Sequence, residues 1–577
     1  MRRYYIAFIM HSSEAAPSQG NHRQHWVLLV ILAVLTLLTY VSTFTFKFVY
    51  DDHGLAESPR YFDDLSWIPE YFKHPFTLNY YRPLVMVWFL FNRLAFGLNP
   101  SPWHVTLVLL HVVVVLIAYF AAYHLTRSVG VAAITAAIFA VHPAHVESVA
   151  WVAGVPDPLL ALFAFLAFIS YLRFRESGGW GWLVGSMVSG SCAMLSKEVG
   201  PVIPLLIGAH ALIYSSGSIP TRARSALLYA LPTGIVAALY VALRAHVLTG
   251  VAHPVGVDAA HMVGAWPRVA WFYVKHLLWP TRLSITYDMK ATDAPSFANI
   301  GVPLLLLAIV AIVVGYLARF IDKRLLAFGI AWIAIPLAPA FYLRAFNVGD
   351  IVHDRYLYLS VFGFALIVAA WIERLPDLTG SMSGVKASSL LAAVLVVALL
   401  AGSTFAEQVH YADDLKLFYR AVHIAPRSEA AWTALAWQLF QNKRYDEAYI
   451  AYKNAIDITE TYWLAHANLG YMLMELDHLD EAEKELQRAV ALNPYYPKSQ
   501  LHLSVTRARK GDLTEALRTV DRGIELNPKD ADLHYGRAYI MELMHQPAVE
   551  RQELEAAVRL DPDHAAARAR LQAIKAK

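Results

Sequence analysis

The chain has 577 residues, of which 57% are hydrophobic and 16% are charged, and its formal net charge is +3. An ordinary soluble domain carries about 25% charged residues, so this composition excludes a wholly soluble enzyme and a disordered chain. The small net charge argues against a nucleic-acid partner. The single cysteine, Cys192, excludes an intrachain disulfide and a cysteine-based zinc site.

Charge is distributed unevenly along the chain. Residues 1–410 contain roughly 46 charged side chains, about 11% of that stretch, whereas residues 411–577 contain roughly 47, about 28%. The first stretch has the composition of a polytopic membrane protein, and the second has that of a soluble helical domain. The sequence therefore predicts an all-α protein in two parts.

Apolar runs of membrane-crossing length recur through the first part. A bilayer core takes about 20 apolar residues of helix. We predict about eleven spans, at 26–46, 103–125, 129–141 with its continuation, 159–172, 180–195, 199–214, 226–243, 300–317, 325–343, 356–372 and 387–405. The stretch 262–279 is apolar but carries Arg268 and Lys275, which predicts an interfacial or re-entrant helix.

The positive-inside rule sets the expected orientation. With the N-terminus in the cytoplasm, every cytoplasmic connection carries at least one basic residue: Arg2, Arg3 and Arg23; Arg127; Arg173 and Arg175; Arg222 and Arg224; Arg319, Lys323 and Arg324; Arg374 and Lys386. Residues 1–25 then form a cytoplasmic tail, followed by the transmembrane domain 26–410. The long loops 47–102 and 244–299 face outward, and the odd number of spans places residues 411–577 outside as well.

The second part is an internal repeat. Pro494, Pro528 and Pro562 lie 34 residues apart, and Pro426 fits the same grid two periods earlier. A period of 34 residues is that of the tetratricopeptide repeat, in which stacked helix pairs form an α-solenoid. Its concave groove usually holds a peptide or a partner protein; a spacer or an oligomerisation surface is the alternative. In the last repeat Glu550 replaces a small residue, which predicts looser packing there.

Two adjacent carboxylates, Asp51 and Asp52, follow the first predicted span directly. Charge at a membrane surface is costly unless it is solvated or used. One carboxylate could serve as a general base while the other tunes its pKa or binds an ion. The alternative is an ordinary polar start to a loop.

Three basic residues near the outer ends of predicted spans are candidates for binding an anion. Arg82 lies in Asn79-Tyr80-Tyr81-Arg82-Pro83-Leu84, and Arg355 lies in His353-Asp354-Arg355-Tyr356. A guanidinium suits a phosphate, although Arg82 could equally anchor a lipid headgroup. Lys197 and Glu198 stand together between two spans, as an internal ion pair or as a contact to an anionic substrate.

The segment His142-Pro143-Ala144-His145-Val146-Glu147 combines ligand types that metals use. Pro143 disrupts helical ligand spacing, and no second cluster completes a site, so we favour a site without metal. The sequence contains no phosphate-binding glycine loop, no dinucleotide fingerprint and no nucleophile elbow.

Taken together, these segments resemble the transmembrane and tetratricopeptide repeat-containing O-mannosyltransferases, within the GT-C class of polyprenyl-phosphate-sugar-dependent glycosyltransferases. The resemblance covers nearly the whole chain from about residue 26, with the repeats following in the family's order. The matching stretches are Phe48-Val49-Tyr50-Asp51-Asp52, Tyr81-Arg82-Pro83-Leu84, Gly97-Leu98-Asn99-Pro100, His142-Pro143-Ala144-His145-Val146-Glu147-Ser148-Val149, Ser196-Lys197-Glu198-Val199-Gly200 and Arg355-Tyr356-Leu357-Tyr358-Leu359.

The resemblance implies a GT-C-like helix bundle and an inverting sugar transfer from a polyprenyl phosphate to a serine or threonine hydroxyl. Asp51 matches the family's catalytic aspartate, which makes it the expected base with Asp52 as its partner. Arg355, Arg82 and Lys197 are the expected phosphate-binding residues, in that order. The expected pocket-shaping residues are His142, His145, Glu147, Glu198, His353, Asp354 and Tyr356.

The resemblance also implies the partners: a polyprenyl-phosphate sugar (mannose or another hexose), an acceptor polypeptide held by the repeats, and membrane lipids. It implies no covalently bound cofactor and no metal, although Asp51 and Asp52 are residues that can hold a divalent ion. Three departures concern the sugar and the acceptor: Glu198-Val199-Gly200 where the family has a Glu-Thr-Gly-like pattern, Val352-His353-Asp354-Arg355 where it tends to have Ala-Glu-Arg, and a short repeat array.

Three alternatives stay open at this point. The chain could glycosylate a lipid or surface glycan, could be a non-catalytic scaffold, or could be a transporter. A scaffold needs only one or two spans, and a transporter would carry charges near span midpoints. Few cysteines and no lumenal retention tail favour a bacterial inner membrane with periplasmic repeats and an undecaprenyl carrier.

Overall fold

The computed structural model describes residues 19–57, 62, 64–75, 80–249, 258–293, 295–345, 349–377, 381–382 and 385–576. Asn79, most of the predicted tail 1–25 and parts of both predicted outer loops lie outside these residues. The chain divides into two compact units, Met1–Leu417 and Phe418–Lys577. Both are helical, which confirms the all-α fold. In the described part, the sole sheet pairs Ser381–Met382 with Val385–Lys386.

The first unit consists mainly of helices. Its α-helices are Gln19–Tyr40, Asp51–Leu55, Trp67–Lys73, Pro83–Phe96, Pro100–Thr126, Val129–Val141, Val146–Val149, Pro156–Ser177, Trp180–Ser196, Ile203–Tyr214, Ile219–Val247, Ala259–Leu278, Val302–Leu317, Lys323–Leu337, Ser360–Glu373 and Ala387–Gln408. Side-chain caps fix several starts, because Asn99 accepts a hydrogen bond from Ser101 N–H and Ser128 accepts one from Val131 N–H.

Among the described residues, seven helical segments are long and apolar enough to cross a membrane, or eight if one bent pair is counted as a single span. The seven are Arg23–Thr45, Pro100–Thr126, Val152–Ser177, Ile219–Val247, Phe297–Leu317, Lys323–Phe341 and Ala387–Tyr411, and the bent pair is Val129–Val141 with Pro143–Val149. The expected number of about eleven is not confirmed. The other apolar stretches form helices, but these are shorter, such as Gly200–Tyr214 and Ser360–Glu373.

The first unit, Met1–Leu417, is called the membrane unit below, and it exposes apolar side chains. The segment Phe297–Leu317 presents Leu304, Leu305, Ile309 and Ile312 at the surface. An exposed apolar stripe of this kind suits contact with lipid. This surface and the apolar helical segments indicate an integral membrane protein.

Glycine allows two helices of the membrane unit to approach closely. A Cβ at Gly363 would lie 2.4 Å from the backbone oxygen of Gly329, and a Cβ at Gly329 would lie 2.6 Å from Ile367. These glycines let Lys323–Leu337 pack closely against Ser360–Glu373, as small residues do between membrane helices. The second of these helices follows directly on the segment that carries Arg355.

The second unit follows the predicted repeat. The first helices of successive pairs are Glu429–Gln441, Trp463–Glu475, Pro497–Arg509 and Ala531–Leu543; the second helices are Tyr445–Ile458, Leu479–Leu492, Leu513–Leu526 and Pro547–Leu560. Each first helix begins 34 residues after the one before it, and Asp414–Ile424 and Ala565–Ala576 flank the array. The tetratricopeptide solenoid predicted from the proline spacing is therefore confirmed.

The small positions of the repeat are filled as helix contact requires. Ala448, Ala482 and Ala516 are fully buried in the second helices. At the equivalent position of the last repeat, Glu550 is also buried, and it accepts a hydrogen bond of 2.9 Å from Arg570 Nε in the final helix. The larger side chain is thus accommodated by an ion pair with the capping helix.

Candidate active site

Residues 46–55 follow the first apolar segment and are called the Asp51 loop below. The chain ends a 3-10 helix at Thr45, runs extended, and starts the short helix Asp51–Leu55. Tyr50, directly before it, adopts φ 54° and ψ −116°, an uncommon conformation for a residue with a Cβ. Asp51 is exposed, whereas Asp52 is fully buried. The two adjacent carboxylates therefore lie in opposite environments.

Asp52 holds the loop in place. Its Oδ2 accepts a hydrogen bond from Val49 N–H at 3.1 Å, and its Oδ1 accepts one from Ala153 N–H at 2.8 Å. Burial raises the pKa of Asp52 to about 8, although these two hydrogen bonds act in the opposite direction. Both oxygens of Asp52 are thus engaged with backbone, and the side chain has the surroundings of an anchor.

Trp151 connects this loop to Arg355. The indole Nε1 donates to the backbone oxygen of Val49 at 3.2 Å, and the ring lies 5.9 Å from the ring of Tyr50. The Arg355 guanidinium lies 5.4 Å from the centre of the Trp151 ring, within cation–π range. Sequence analysis missed Trp151, because no local pattern relates it to residues a hundred positions away.

The surroundings of Asp51 make its carboxylate more basic. The surrounding protein, by partly desolvating the side chain, raises the pKa of Asp51. The positive charges of Arg355 and His353 lower it, and the negative charge of Asp350 raises it, leaving the pKa above its usual value. Asp51 is therefore an exposed carboxylate within the electrostatic reach of Arg355, with increased affinity for a proton.

Arg355 is oriented by Glu147. The buried carboxylate accepts a hydrogen bond from Arg355 N–H at 3.0 Å, and its other oxygen lies 3.3 Å from a guanidinium nitrogen. The same oxygen lies 3.7 Å from His353 Nδ1, and His353 Nε2 lies 3.3 Å from Asp350. Although burial lowers the pKa of Arg355, Glu147 and its neighbours outweigh that effect and raise it.

Arg82 is paired with Glu198 through two hydrogen bonds of 2.8 and 2.6 Å. Burial raises the pKa of Glu198, but the charge and hydrogen bonds of Arg82 outweigh it and hold the pKa at about 2. Arg82 also lies 4.1 Å from the centre of the Tyr80 ring. This bidentate pair leaves 20% of the Arg82 side chain exposed.

Lys197 is paired with Asp157 at 2.6 Å, and only 3% of its side chain is exposed. Lys197 and Glu198, expected as an ion pair with each other, instead have different partners. Lys197 has extended backbone angles, φ −156° and ψ 144°, and consecutive side chains on extended backbone point in opposite directions. Asp157 was missed, although a lone carboxylate at the start of an apolar run is a detectable signal.

The Tyr356 ring lies among these cations. Lys197 Nζ lies 5.1 Å from its centre and the Arg355 guanidinium 5.7 Å. Lys197 is within electrostatic range of both Arg82 and Arg355, so the three cations form one cluster, to which Glu198, Asp157 and Glu147 contribute the carboxylates. Of the three cations, Arg355 and Arg82 are partly accessible to a ligand, with 23% and 20% of their side chains exposed.

The remaining candidates are hydrogen-bonded to other parts of the fold. Asp354 is buried and bonded to His276 Nδ1 at 2.7 Å and to the hydroxyl of Tyr287. His142 accepts from Ala144 N–H and bonds to the backbone oxygen of Leu277, while His145 bonds to the backbone oxygen of Tyr358. These histidines and Glu147 do not converge, and no group of three metal-ligand side chains occurs among the described residues.

Comparison with known families places this geometry in context. A family model described as dolichyl-phosphate-mannose-protein mannosyltransferase matches residues 104–240, and a tetratricopeptide repeat model matches residues 473–540. The first match includes Glu147, Asp157, Lys197 and Glu198. Asp51, Arg82 and Arg355 lie outside it.

Three relatives illustrate the extent of the similarity. The Homo sapiens protein O-mannosyl-transferase TMTC1 is 24% identical over 442 residues, covering 68% of this chain and 49% of that protein. The Drosophila melanogaster Tmtc1 is 24% identical over 539 residues, covering 76% and 62%. The Mus musculus TMTC1 is 31% identical over 131 residues, covering 21% and 14%. The chain thus spans about half the length of the human relative.

Several solved structures match part of the chain. They include YrrB, titled a TPR protein with an unusual peptide-binding site (22% identity, 31% of this chain, 90% of that chain, TM-score 0.25), and a thermophilic TPR protein from Thermus thermophilus (19%, 32%, 97%, TM-score 0.26). The family resemblance found in the sequence is confirmed: residues 104–240 match the dolichyl-phosphate-mannose-protein mannosyltransferase family model, residues 473–540 match the tetratricopeptide repeat model, and the relatives are named protein O-mannosyl-transferases.

Proposed function

We propose that this chain is a membrane glycosyltransferase that moves mannose or another hexose from a polyprenyl-phosphate donor to serine or threonine hydroxyls of proteins. The observation that carries the proposal is the environment of Asp51: an exposed carboxylate with a raised pKa, on a loop anchored to backbone, within reach of the Arg355 charge. The family match and the names of the relatives support the same reaction class.

Asp51 acts as the general base. A hydroxyl is a weak nucleophile, so a carboxylate that accepts its proton during attack lowers the barrier. The hydroxyl oxygen bonds to the anomeric carbon as the bond from that carbon to the phosphate oxygen breaks, and the lipid phosphate leaves with the electron pair. One displacement inverts the anomeric centre and forms no glycosyl-enzyme intermediate.

The cation cluster stabilises the leaving phosphate. Negative charge develops on the phosphate in the transition state, and preorganised donors reduce its energy. Arg355 and Arg82 are partly exposed. Each guanidinium can donate hydrogen bonds to a phosphate while it stays paired with its carboxylate. Lys197, being buried, contributes through its charge at longer range.

The remaining parts of the proposal concern substrate supply. The repeats bind the acceptor polypeptide weakly and raise its concentration near the site. The orientation follows the basic connections: the N-terminus is cytoplasmic, and the Asp51 loop and the repeats are periplasmic in a bacterial inner membrane. The carrier lipid is then undecaprenyl phosphate. Asp52 and the histidines shape the site, and no metal takes part.

The test deletes the gene for this chain in the native host. The gene is then reintroduced as wild type, as Asp51→Asn or as Asp64→Asn. Asp64 is a matched control because it is an exposed carboxylate of the same predicted loop. Intact masses of exported proteins should lose hexose-sized steps in the deletion, regain them with wild type and Asp64→Asn, and lack them with Asp51→Asn.

Two results would count against the proposal. If the hexose-sized mass steps persist with Asp51→Asn, Asp51 is not the general base. If no exported protein changes mass in the deletion, proteins are not the acceptor of the sugar. Lipid extracts of the same strains would then show whether a glycolipid is the product.

A further inference from the structure

We infer that Asp414 is a positioning residue for Asp51, an inference that rests on the proposed function. Asp414 begins the helix Asp414–Ile424 and lies in the same compact unit as the Asp51 loop. It follows the last apolar helix of that unit, more than 360 residues after the carboxylate that it serves. Nothing in the local sequence around Asp51 indicates this partner.

Asp414 contacts both sides of Asp51. One carboxylate oxygen accepts a hydrogen bond of 2.8 Å from Tyr50 N–H, and the other is bonded at 2.8 Å to His53 Nε2. The same segment makes a backbone contact, since Lys47 N–H donates to the oxygen of Ala412 at 3.0 Å. Residues 47, 50 and 53 are therefore held by one short stretch of chain.

The hydrogen bond to Tyr50 occurs where the backbone needs support. Tyr50 has φ 54°, a conformation that side chains with a Cβ adopt only when surrounding contacts impose it. The bend at Tyr50 sets the direction in which the next residue, Asp51, leaves the backbone. An accepting carboxylate at Tyr50 N–H fixes this bend, and without it the N–H would need a new partner.

The other side of the loop is held separately. Asp52 accepts from Val49 N–H and from Ala153 N–H, and the Trp151 indole donates to the oxygen of Val49. Asp51 therefore lies between two carboxylates that each accept a backbone hydrogen bond from the residues preceding it. Asp52 fixes the position of the loop, and Asp414 fixes the conformation of Tyr50.

His53 makes this second anchor a charged one. Its Nδ1 lies 3.1 Å from Glu57 and its Nε2 lies 2.8 Å from Asp414. Burial lowers the pKa of His53, but its hydrogen bonds and charge interactions with Asp414 and Glu57 outweigh burial and raise it. A protonated imidazole adds an ionic component to the bond that Asp414 makes.

The experiment compares Asp414→Ala, Asp414→Asn, Asp413→Ala and Asp51→Asn in the full-length chain, reconstituted in lipid with a polyprenyl-phosphate hexose and a serine-containing peptide. Asp413 is the matched control: it is the neighbouring carboxylate, accepts from Lys416 N–H at the start of the same helix, and pairs with Lys416. The readouts are kcat, both KM values, and hydrogen exchange of residues 47–57.

Asp414→Ala should lower kcat by about 10- to 100-fold, the range expected when a reacting group moves by about 1 Å, with little change in either KM. Exchange at Tyr50 should accelerate. Asp414→Asn should recover most of kcat and of the protection, because its amide oxygen still accepts from Tyr50 N–H. Asp413→Ala should resemble wild type in both respects.

Other outcomes separate the two proposals. Normal kcat and protection in Asp414→Ala, with Asp51→Asn inactive, would overturn the positioning role and leave the proposed function standing. Equal losses in Asp414→Ala and Asp414→Asn, or in Asp413→Ala, would also overturn it, because the effect would then not depend on the acceptor atom. An active Asp51→Asn would instead overturn the base itself. If Asp414→Ala does not fold, hydrogen exchange in Asp414→Asn and Asp413→Ala still tests the positioning role. Faster exchange at Tyr50 in either variant would overturn it.

Discussion

The membrane unit and the repeat unit, Phe418–Lys577, differ in how far their ion pairs are exposed to solvent. In the membrane unit, Lys197 and Asp157 form an ion pair with 3% and 5% of their side chains exposed. In the repeats, Arg522 and Glu525 pair across one helical turn with 61% and 65% exposed. A buried pair loses hydration that its mutual attraction only partly returns, whereas a solvated pair costs and gains little. Buried charge is therefore where a functional role is expected, and it surrounds Tyr356.

The largest expected effect comes from breaking the Lys197–Asp157 pair. Asp157→Ala leaves the Lys197 ammonium buried without its partner, which should cost about 3–5 kcal/mol. The thermal unfolding midpoint of the full chain in lipid nanodiscs should fall clearly, measured by tryptophan fluorescence. A midpoint like that of the wild type would mean that the pair does not stabilise the membrane unit.

The double variant Asp157→Leu with Lys197→Met separates stability from function. Replacing both charges by apolar side chains is often neutral for stability, because no unpaired charge remains. The unfolding midpoint should therefore return toward wild type. Glycosyl transfer should stay low, because the positive charge near the proposed phosphate site is gone. Full recovery of transfer would show that Lys197 has a structural role only.

A glycine substitution sharpens the comparison through packing. A Cβ at Gly470 would lie 2.6 Å from Leu486, which is fully buried, whereas a Cβ at Gly402 meets nothing within 4 Å. Gly470→Ala gains about 1 kcal/mol of helix propensity but overpacks the repeat core by about 1–3 kcal/mol, a net loss of up to about 2 kcal/mol. Gly402→Ala, in an apolar helix of the membrane unit, is the control and should not destabilise. Chemical unfolding followed by circular dichroism distinguishes the two.

The two units also differ in how far the sequence could predict them. The repeat was predictable in detail because its information is local: a 34-residue period fixes where each helix begins, as at Trp463 and Pro497. In the membrane unit, composition indicated helices but not which of them span. The helix Ser360–Glu373, for example, is apolar but only 14 residues long.

The candidate site shows the same limit at the level of single residues. Arg82, Glu198 and Lys197 stand out in the sequence, but their pairing depends on contacts between residues 116 and 40 positions apart. Lys197 and Glu198 looked like one pair because they are neighbours. Which side of the chain each faces depends on backbone angles, and composition does not determine these. Asp157 is detectable as a lone carboxylate, but its pairing with Lys197, like the contact of Asp414 with Tyr50, could be found only in three dimensions.

A pH profile tests the electrostatics of Asp51. As a base, Asp51 must be ionised, so kcat/KM should fall as the pH drops through its raised pKa. The negative charge of Asp350 raises that pKa, and Asp350→Asn should therefore move the acid limb to lower pH. Asp64→Asn should leave the limb in place. A shift to higher pH, or none, would contradict the assigned arrangement.

The smallest expected effect is at the surface of the repeats. Arg522→Ala removes an ion pair that solvent already screens, so the free energy of unfolding should change by less than about 1 kcal/mol. The change should shrink further in high salt, because exposed charges are screened within a few ångströms. Chemical unfolding at low and high ionic strength measures both quantities. A loss as large as that of Asp157→Ala would contradict the contrast between the units, because exposure would then not determine what an ion pair contributes.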